Sequence, residues 1–305
     1  MLTQYLARPG GAILIALLTL FCFLCFSLNA ILCRSALAVC GMHPLCFVAV
    51  RCFSGAAMLF AIWAFARPVG PVRLWRELMA QSSWPCAIFL FCYMLCFACG
   101  YVNMPSATGT LIQNSAIQVS MIGWGMHCGL RPGSRQLAGL ALAFAGLALL
   151  LVPGLSSPPL MNALLISLAG ISWGAYTMAG RAVADPGLAT AGNFLRASLP
   201  AAGVLLLSLM NEGAPRTGLE EQALLCAIAS GAGASALGYT VWYAVQPRLS
   251  IMAASASQLA VPPITAVLGL VLLGEAISLR LVLCGLMILA GIWLTLRASG
   301  RPAGA

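Results

Sequence analysis

Charge is scarce in this chain, and lysine is missing altogether. Charged residues make up 7% of the 305 residues, only six residues are acidic, and 62% are hydrophobic. A soluble domain carries about 25% charged residues. The composition therefore excludes a soluble enzyme and predicts an all-α integral membrane protein that lies in the lipid bilayer. The net charge of +9 does not indicate nucleic-acid binding, because the positions of the arginines explain it as a membrane-orientation signal.

The few titratable side chains limit the chemistry further. None of the six acidic residues falls near the middle of an apolar run, which excludes a buried carboxylate relay, the usual device for proton coupling. His43 and His127 fall at opposite membrane faces, so we expect no Ser–His catalytic site, no metal and no cofactor. Cys92, Cys96 and Cys99 share a helical face, and we interpret them as small apolar packing residues.

Long apolar runs, by contrast, fill the chain. Each is close to the ~20 residues that a spanning helix needs. We place ten spans at 12–33, 44–66, 84–103, 106–127, 136–152, 161–180, 188–210, 222–244, 250–273 and 280–297. The polar stretches between them are too short for a soluble domain.

The two halves of the chain match at one offset of 145 residues. The offset relates Ser27 to Ser172, Arg51 to Arg196, Gln113 to Gln258 and Gly146 to Gly291. We therefore divide the chain into two repeats, 1–152 and 153–305. Because each repeat holds five predicted spans, an odd number, the second must be inverted in the bilayer. Inverted repeats are typical of alternating-access transporters.

The arginines indicate the orientation. With a cytoplasmic N-terminus, most of them fall inside, and the outer loops carry the acidic residues Glu212, Glu220, Glu221 and Glu275. The positive-inside rule then places both termini in the cytoplasm. Fifteen arginines without lysine are typical of a GC-rich bacterial genome, so we expect a multi-pass protein of the bacterial inner membrane.

Four short strings carry a family resemblance. They are Phe-Ser-Leu-Asn-Ala at 26–30, Ser-Trp-Gly-Ala-Tyr at 172–176, Leu-Gly-Tyr-Thr-Val-Trp-Tyr-Ala at 237–244, and 258–262 followed by Leu-Gly-Glu at 273–275. In this order and spacing they resemble the EamA family of the drug/metabolite transporter superfamily. The resemblance implies ten helices, a central cavity between two repeats, and carriage of small metabolites, often export of amino acids or removal of toxic compounds.

The chain departs from the family pattern in its first repeat. The family's fourth-helix proline and glutamate would fall at Ile117 and Leu130. Without the proline, we expect the fourth helix to be straighter than the ninth.

Polar and aromatic side chains within the spans are the candidate substrate contacts. Polar groups there are costly and invite a functional role, although amides also join helices by hydrogen bonds. The walls of the cavity that the resemblance implies would include the aromatic residues. The candidates are Asn29, Gln113, Asn114, Gln118, Trp173, Tyr176, Tyr239 and Gln258.

Two arginines and two prolines are the candidate gate or hinge. Arg51 and Arg196 fall one near each mouth, where each could close a gate, contact substrate or reach the headgroups. Glu275, on the outer side, is a candidate partner of Arg51. Pro262 and Pro263 remove two backbone donors from the ninth span and form either a hinge or a structural kink.

The leading hypothesis is an exporter of small metabolites, most of all amino acids, that is not an enzyme. Multidrug efflux is the alternative, and an intramembrane enzyme or a sensor is a weaker one. Small-residue faces at 139–146 and 285–291 suit internal packing as well as a dimer, so we expect a monomer or a homodimer.

Overall fold

The computed structural model describes residues 11–127, 133–152, 158–180, 183–211, 220–248 and 257–298, and the regular structure in these ranges is helical. The α-helices are α1 Gly11–Arg34, α2 Pro44–Ala66, α3 Pro71–Gln81, α4 Trp84–Tyr101, α5 Ser106–His127, α6 Ser134–Leu151, α7 Leu160–Gly180, α8 Pro186–Asn211, α9 Glu220–Ile228, α10 Gly238–Val245, α11 Val261–Leu273 and α12 Leu279–Ala298. Two π-helical segments, Ser35–Val39 and Ala229–Leu237, and two 3₁₀ turns, Gln246–Arg248 and Gln258–Ala260, extend them.

The predicted spans coincide with helical segments to within a few residues, and residues 250–256 lie outside the described ranges. Seven segments are long and apolar enough to cross a membrane: Ile13–Val39, Pro44–Ala66, Trp84–Tyr101, Ser134–Leu151, Leu160–Gly180, Pro186–Met210 and Glu220–Val245. Gln258–Leu273 and Leu279–Thr295 are apolar but shorter. α5 is 22 residues long, but it is richer in Ser, Thr, Asn and Gln than the seven long apolar segments.

Helices α2 and α4 begin with a side-chain cap and a proline. His43 Nδ1 accepts a hydrogen bond from the Leu45 N–H at the start of α2. Ser83 Oγ accepts one from the Cys86 N–H at the start of α4. Both helices carry proline in their first turn, where its missing N–H would have had no partner within the helix.

α3 occupies a stretch that the sequence suggested only as a polar connection. Its Leu74 and Leu78 are buried, whereas Arg73 and Arg76 are exposed. A short helix with one apolar and one basic side suits a position along the membrane interface. α3 packs against α8, where Gly192 lies so close to the Leu78 carbonyl that a Cβ would collide with it.

Helices related by the sequence offset pack in equivalent pairs. α1 packs on α10 and α11, and α7 packs on α4 and α5. The offset converts α1 into α7, α4 into the segment that ends with α10, and α5 into α11. α2 packs on α8 and α6 on α12, so each of these helices contacts its own repeat mate.

The α6–α12 pair shows how two helices related by the sequence offset run relative to each other. Gly139 lies against Gly291, and Gly146 lies against Cys284, so residue numbers rise along one helix as they fall along the other. The two helices are therefore antiparallel. A Cβ on Gly139 would lie 2.6 Å from the Gly291 carbonyl oxygen, so the glycines allow the backbones to approach closely.

Candidate functional site

A cavity of about 40 Å³ lies between the two halves. Its walls come from α1, α4, α5, α7, α10, the 3₁₀ turn Gln258–Ala260 and α11. In this conformation it has room for a few water molecules. The lining residues are Phe26, Asn29, Ala30, Tyr93, Phe97, Thr110, Gln113, Asn114, Ile117, Trp173, Tyr239, Gln258 and Val261.

Most of the candidate substrate contacts meet at this cavity. Asn29, Gln113, Asn114, Trp173, Tyr239 and Gln258 all line it. Tyr176 is buried elsewhere, with its hydroxyl 3.0 Å from Thr190 Oγ1. Gln118 lines a separate crevice against α6 and α12, beside Leu140 and Ile292. The structure thus brings six of the eight candidates together and leaves two outside.

Aromatic rings form one wall of the cavity. The Trp173 ring centroid lies 4.9 Å from that of Tyr239 and 5.0 Å from that of Tyr93. Phe26 adds an edge-on contact, with its centroid 6.5 Å from Trp173. Offset and edge-on rings pack stably and present a large apolar surface.

Hydrogen bonds fix two of the cavity amides. The Ser230 hydroxyl donates to Asn29 Oδ1. Asn114 Nδ2 donates to the Thr110 carbonyl at 2.9 Å. Each of these bonds holds one amide, Asn29 or Asn114, in a defined orientation at the cavity surface.

Arg51 is fully buried in α2, with 0% of its surface exposed. Its Nε donates to Ser235 Oγ at 3.2 Å and its Nη2 to Tyr93 Oη at 3.1 Å. The guanidinium carbon also lies 5.1 Å from the ring centroid of Phe97. Nη1 has no hydrogen-bond partner among the described residues. The interpretation that Arg51 reaches the headgroups is therefore wrong, and the guanidinium stands directly behind the aromatic wall.

Both halves of the chain match the same known sequence family. The sequence profile of the EamA-like transporter family matches residues 13–152 and again residues 160–297. The chain belongs to the EamA-like transporter family. It is therefore a membrane transporter of small molecules, and the resemblance stated from the sequence is confirmed.

Relatives of this EamA-like transporter extend over nearly its whole length. An uncharacterized protein of Pseudomonas aeruginosa is 41% identical over 289 residues, covering 94% of this chain and 96% of its own. An uncharacterized transporter of Archaeoglobus fulgidus is 26% identical over 252 residues, covering 79% of this chain and 83% of its own. A protein crystal structure at 22% identity superimposes with a TM-score of 0.61 over 92% of this chain and 96% of that one, which supports the fold alone.

Glu275 pairs with Arg34, so the expected pairing with Arg51 is wrong. Arg34 Nε lies 3.3 Å from Glu275 Oε1, and Arg34 Nη1 donates to the Tyr101 carbonyl at 3.1 Å. Glu275 Oε2 accepts from the Ser106 N–H at 2.8 Å. This Arg34–Glu275 network ties together the ends of α1, α4, α5 and α11. Arg51 is instead buried and donates to Tyr93, whereas Arg34 lies at the end of α1 beside Glu275.

A second network lies at the opposite end of the bundle. Arg67 pairs with Asp185 at 3.0 Å and with Glu77 at 3.2 Å, and joins α2 to α3 and to the start of α8. Arg196 belongs to this end, because its Nε donates to Ser82 Oγ at 2.8 Å. Arg51 and Arg196 thus lie toward opposite ends of the transporter, as expected, but with different partners.

Pro262 and Pro263 stand in the first turn of α11. The sequence suggested a distorted position in the middle of a span, whereas the structure changes from a 3₁₀ turn to an α-helix there. The Val261 N–H donates to the Gln258 carbonyl within that turn, which satisfies an acceptor that Pro262 leaves free. In the fourth span, where Ile117 replaces the family's proline, α5 runs as one α-helix; Leu130 lies outside the described residues.

Sequence reasoning missed Tyr93, Phe26 and Phe97 in the cavity wall and Ser235 beside Arg51. Tyr93 is the repeat mate of Gly238, so the offset gave no polar match to draw attention to it. Phe26 stood in the family string but looked like an ordinary apolar residue. The sequence signal that could have identified Tyr93 was that it is a lone tyrosine within an apolar span.

The cysteines contribute to packing between helices. Cys52 Sγ lies 3.6 Å from the Phe194 carbonyl oxygen, and Cys22 Sγ lies 3.6 Å from the Gly238 carbonyl oxygen. Twelve cysteines lie within the described ranges, all as free thiols. In the same ranges, no three His, Cys, Asp or Glu side chains group as metal ligands would.

Proposed function

We propose that this EamA-like transporter exports small metabolites, most of all amino acids, by alternating access at the interface of two inverted five-helix repeats. One observation carries the proposal: amide and aromatic side chains from both halves line a single cavity. In transporters built from inverted repeats, the substrate site lies at the repeat interface. The 40 Å³ cavity has room for only a few water molecules, so the halves must move apart to admit a solute.

The helix packing supports the inversion. Ten spans, five in each half, place α6 and α12 as the last span of each repeat. Repeat mates that cross in opposite directions must be antiparallel where they touch, and α6 and α12 are antiparallel. The exchange of packing pairs between the halves is what a two-fold axis in the membrane plane produces.

The cavity chemistry supports a small polar solute with an apolar part. Amides of Gln113, Asn114 and Gln258 offer donors and acceptors, and Trp173 and Tyr239 offer apolar surface. An amino acid presents this combination of groups. The aromatic wall is the observation that favours the alternative, efflux of hydrophobic drugs.

The proposal also fixes orientation and assembly. The arginine distribution supports a cytoplasmic location for both termini, and we propose the inner membrane of a bacterial cell. The small-residue faces of α6 and α12 are occupied by each other, with Gly139 against Gly291. Since these faces serve internal packing, we infer that the monomer suffices for transport.

The test is the extracellular metabolite profile of cells that overproduce the transporter. We expect one or a few amino acids to accumulate outside cells with the wild-type chain. The double variant Gln113→Leu, Gln258→Leu should abolish the accumulation at equal abundance in the membrane, because both amides line the cavity.

The matched control is Gln81→Leu, Gln246→Leu, which makes the same two changes away from the cavity. This control should export as the wild type does. Accumulation of no metabolite with the wild-type chain would contradict metabolite export. Tolerance to a panel of hydrophobic drugs, without metabolite accumulation, would favour drug efflux instead.

A further inference from the structure

The positive charge of Arg51 lacks an anionic partner within the described residues. No described carboxylate lies within 4.0 Å of it; Glu77 and Asp185 pair with Arg67, and Glu275 pairs with Arg34. A charge inside the bilayer is costly unless a counter-charge or hydrogen bonds compensate it. Arg51 has two hydrogen bonds, and its Nη1 has none among the described residues.

The hydrogen bond from Arg51 determines how Tyr93 can act. Because Arg51 Nη2 donates to Tyr93 Oη, the phenol oxygen already serves as an acceptor. The Tyr93 O–H is then left to donate, and a nearby positive charge strengthens a phenol as a donor. Tyr93 lines the cavity, so this hydrogen bond connects Arg51 to a residue of the cavity wall.

Tyr239 offers a second hydroxyl. The residue lines the same cavity and is only 2% exposed. Its Oη is buried and has no hydrogen-bond partner among the described residues. A buried polar group without a partner is unfavourable and rare, so a bound solute is a natural acceptor for this hydroxyl.

We propose that Tyr93 and Tyr239 form a carboxylate-binding end of the cavity, with Arg51 behind them as the positioning residue that supplies the positive charge. The inference rests on the proposed function and narrows its substrate class. The transported solute carries one carboxylate, which accepts hydrogen bonds from the two phenols, while the amides of Gln113 and Gln258 receive its remaining polar groups. Organic cations are disfavoured by the charge of Arg51.

Tyr239→Phe is the decisive variant, because it removes a hydroxyl that bonds to no described protein group. Folding should therefore be unaffected. We expect export of carboxylate solutes to fall about tenfold or more, the effect of losing one hydrogen bond to a charged group. The measurement is the extracellular metabolite profile of overproducing cells at matched transporter abundance.

Tyr101→Phe is the matched control. Tyr101 is another fully buried tyrosine, its hydroxyl 2.9 Å from Thr110 Oγ1, and it does not line the cavity. Its loss should lower the melting temperature and leave the exported solutes unchanged. Wild-type levels of export by Tyr239→Phe, or exported solutes without a carboxylate, would overturn the carboxylate site while leaving export intact. Absence of any exported solute with the wild-type chain would overturn the proposed function and this inference together.

Arg51 itself is tested by rescue. Arg51→Gln removes the charge, whereas Arg51→Lys keeps it with fewer donors. At matched abundance, Arg51→Lys should retain a measurable part of carboxylate export and Arg51→Gln should retain none. Equal export by the two variants would show that the charge has no role at the site.

Discussion

Arg34 and Glu275, 241 positions apart in the chain, lie 3.3 Å apart and connect the first repeat to the second. Glu275 also accepts from the Ser106 N–H, so one carboxylate joins the ends of α1, α5 and α11. At the other end of the bundle, Arg67 joins α2, α3 and α8 through Glu77 and Asp185. In the proposed alternating-access cycle, we expect one of these networks to break at a time.

The first prediction concerns the coupling between Arg34 and Glu275. Both side chains are mostly shielded, at 22% and 16% exposure. Arg34→Ala and Glu275→Ala should each lower the free energy of unfolding, and the double variant should be less destabilised than their sum by about 1 kcal/mol. Thermal unfolding of the purified wild-type, single-variant and double-variant proteins provides this double-mutant cycle.

The exposed pair Arg73 and Glu77 serves as the reference for that cycle. These residues are four apart on α3, and the Arg73 side chain is 74% exposed. Surface pairs of this type couple by about 0.3–0.5 kcal/mol. Coupling at Arg34–Glu275 no larger than this would argue that the network does not hold the two repeats together.

The second prediction compares two glycines of α12. A Cβ on Gly291 would lie 2.5 Å from the Gly139 carbonyl oxygen, whereas a Cβ on Gly285 would meet only Leu111 at 3.6 Å. Gly291→Ala should cost about 1–3 kcal/mol through overpacking, and Gly285→Ala should be close to neutral. Melting temperatures and membrane abundance report both, and equal losses would rule out close α6–α12 contact.

The third prediction separates the two cavity tyrosines by stability. Tyr93→Phe removes the acceptor of Arg51 Nη2 and leaves a buried charged donor without a partner. It should destabilise the protein by about 1–3 kcal/mol. Tyr239→Phe should cost almost nothing, since its hydroxyl bonds to no described group. Thermal unfolding of both variants checks the difference, and a larger loss for Tyr239→Phe would contradict the hydrogen-bond assignment.

The fourth prediction concerns Gln258 alone. Gln258→Leu should reduce export at least several-fold with normal insertion, because the amide lines the cavity in the 3₁₀ turn before α11. A packing role would instead leave export unchanged or lower the amount of protein. Export per molecule in the membrane distinguishes the two cases.

The pairing of Glu275 shows what the sequence could not provide. The sequence predicts Arg51 and Glu275 on the same side of the membrane, but depth along two helices does not determine which arginine a carboxylate meets. Arg34 is the partner because it lies at the end of α1, where its guanidinium meets both the Tyr101 carbonyl and the Glu275 carboxylate. α3 was missed because it is only 11 residues long, and its buried residues Leu74 and Leu78 do not form an apolar run of the length of a span.

The sequence by itself determined the membrane environment, the helical segments and the two matching halves of the chain, because hydropathy and a fixed offset are local or periodic properties of the chain. Gln113 and Gln258 line one cavity as their symmetry required. Only the tertiary structure decided that Tyr93 joins them, that Tyr176 and Gln118 do not, and that Arg51 is buried behind the wall. Those outcomes depend on how helices rotate about their axes when they pack, and side-chain fit between distant segments sets that rotation.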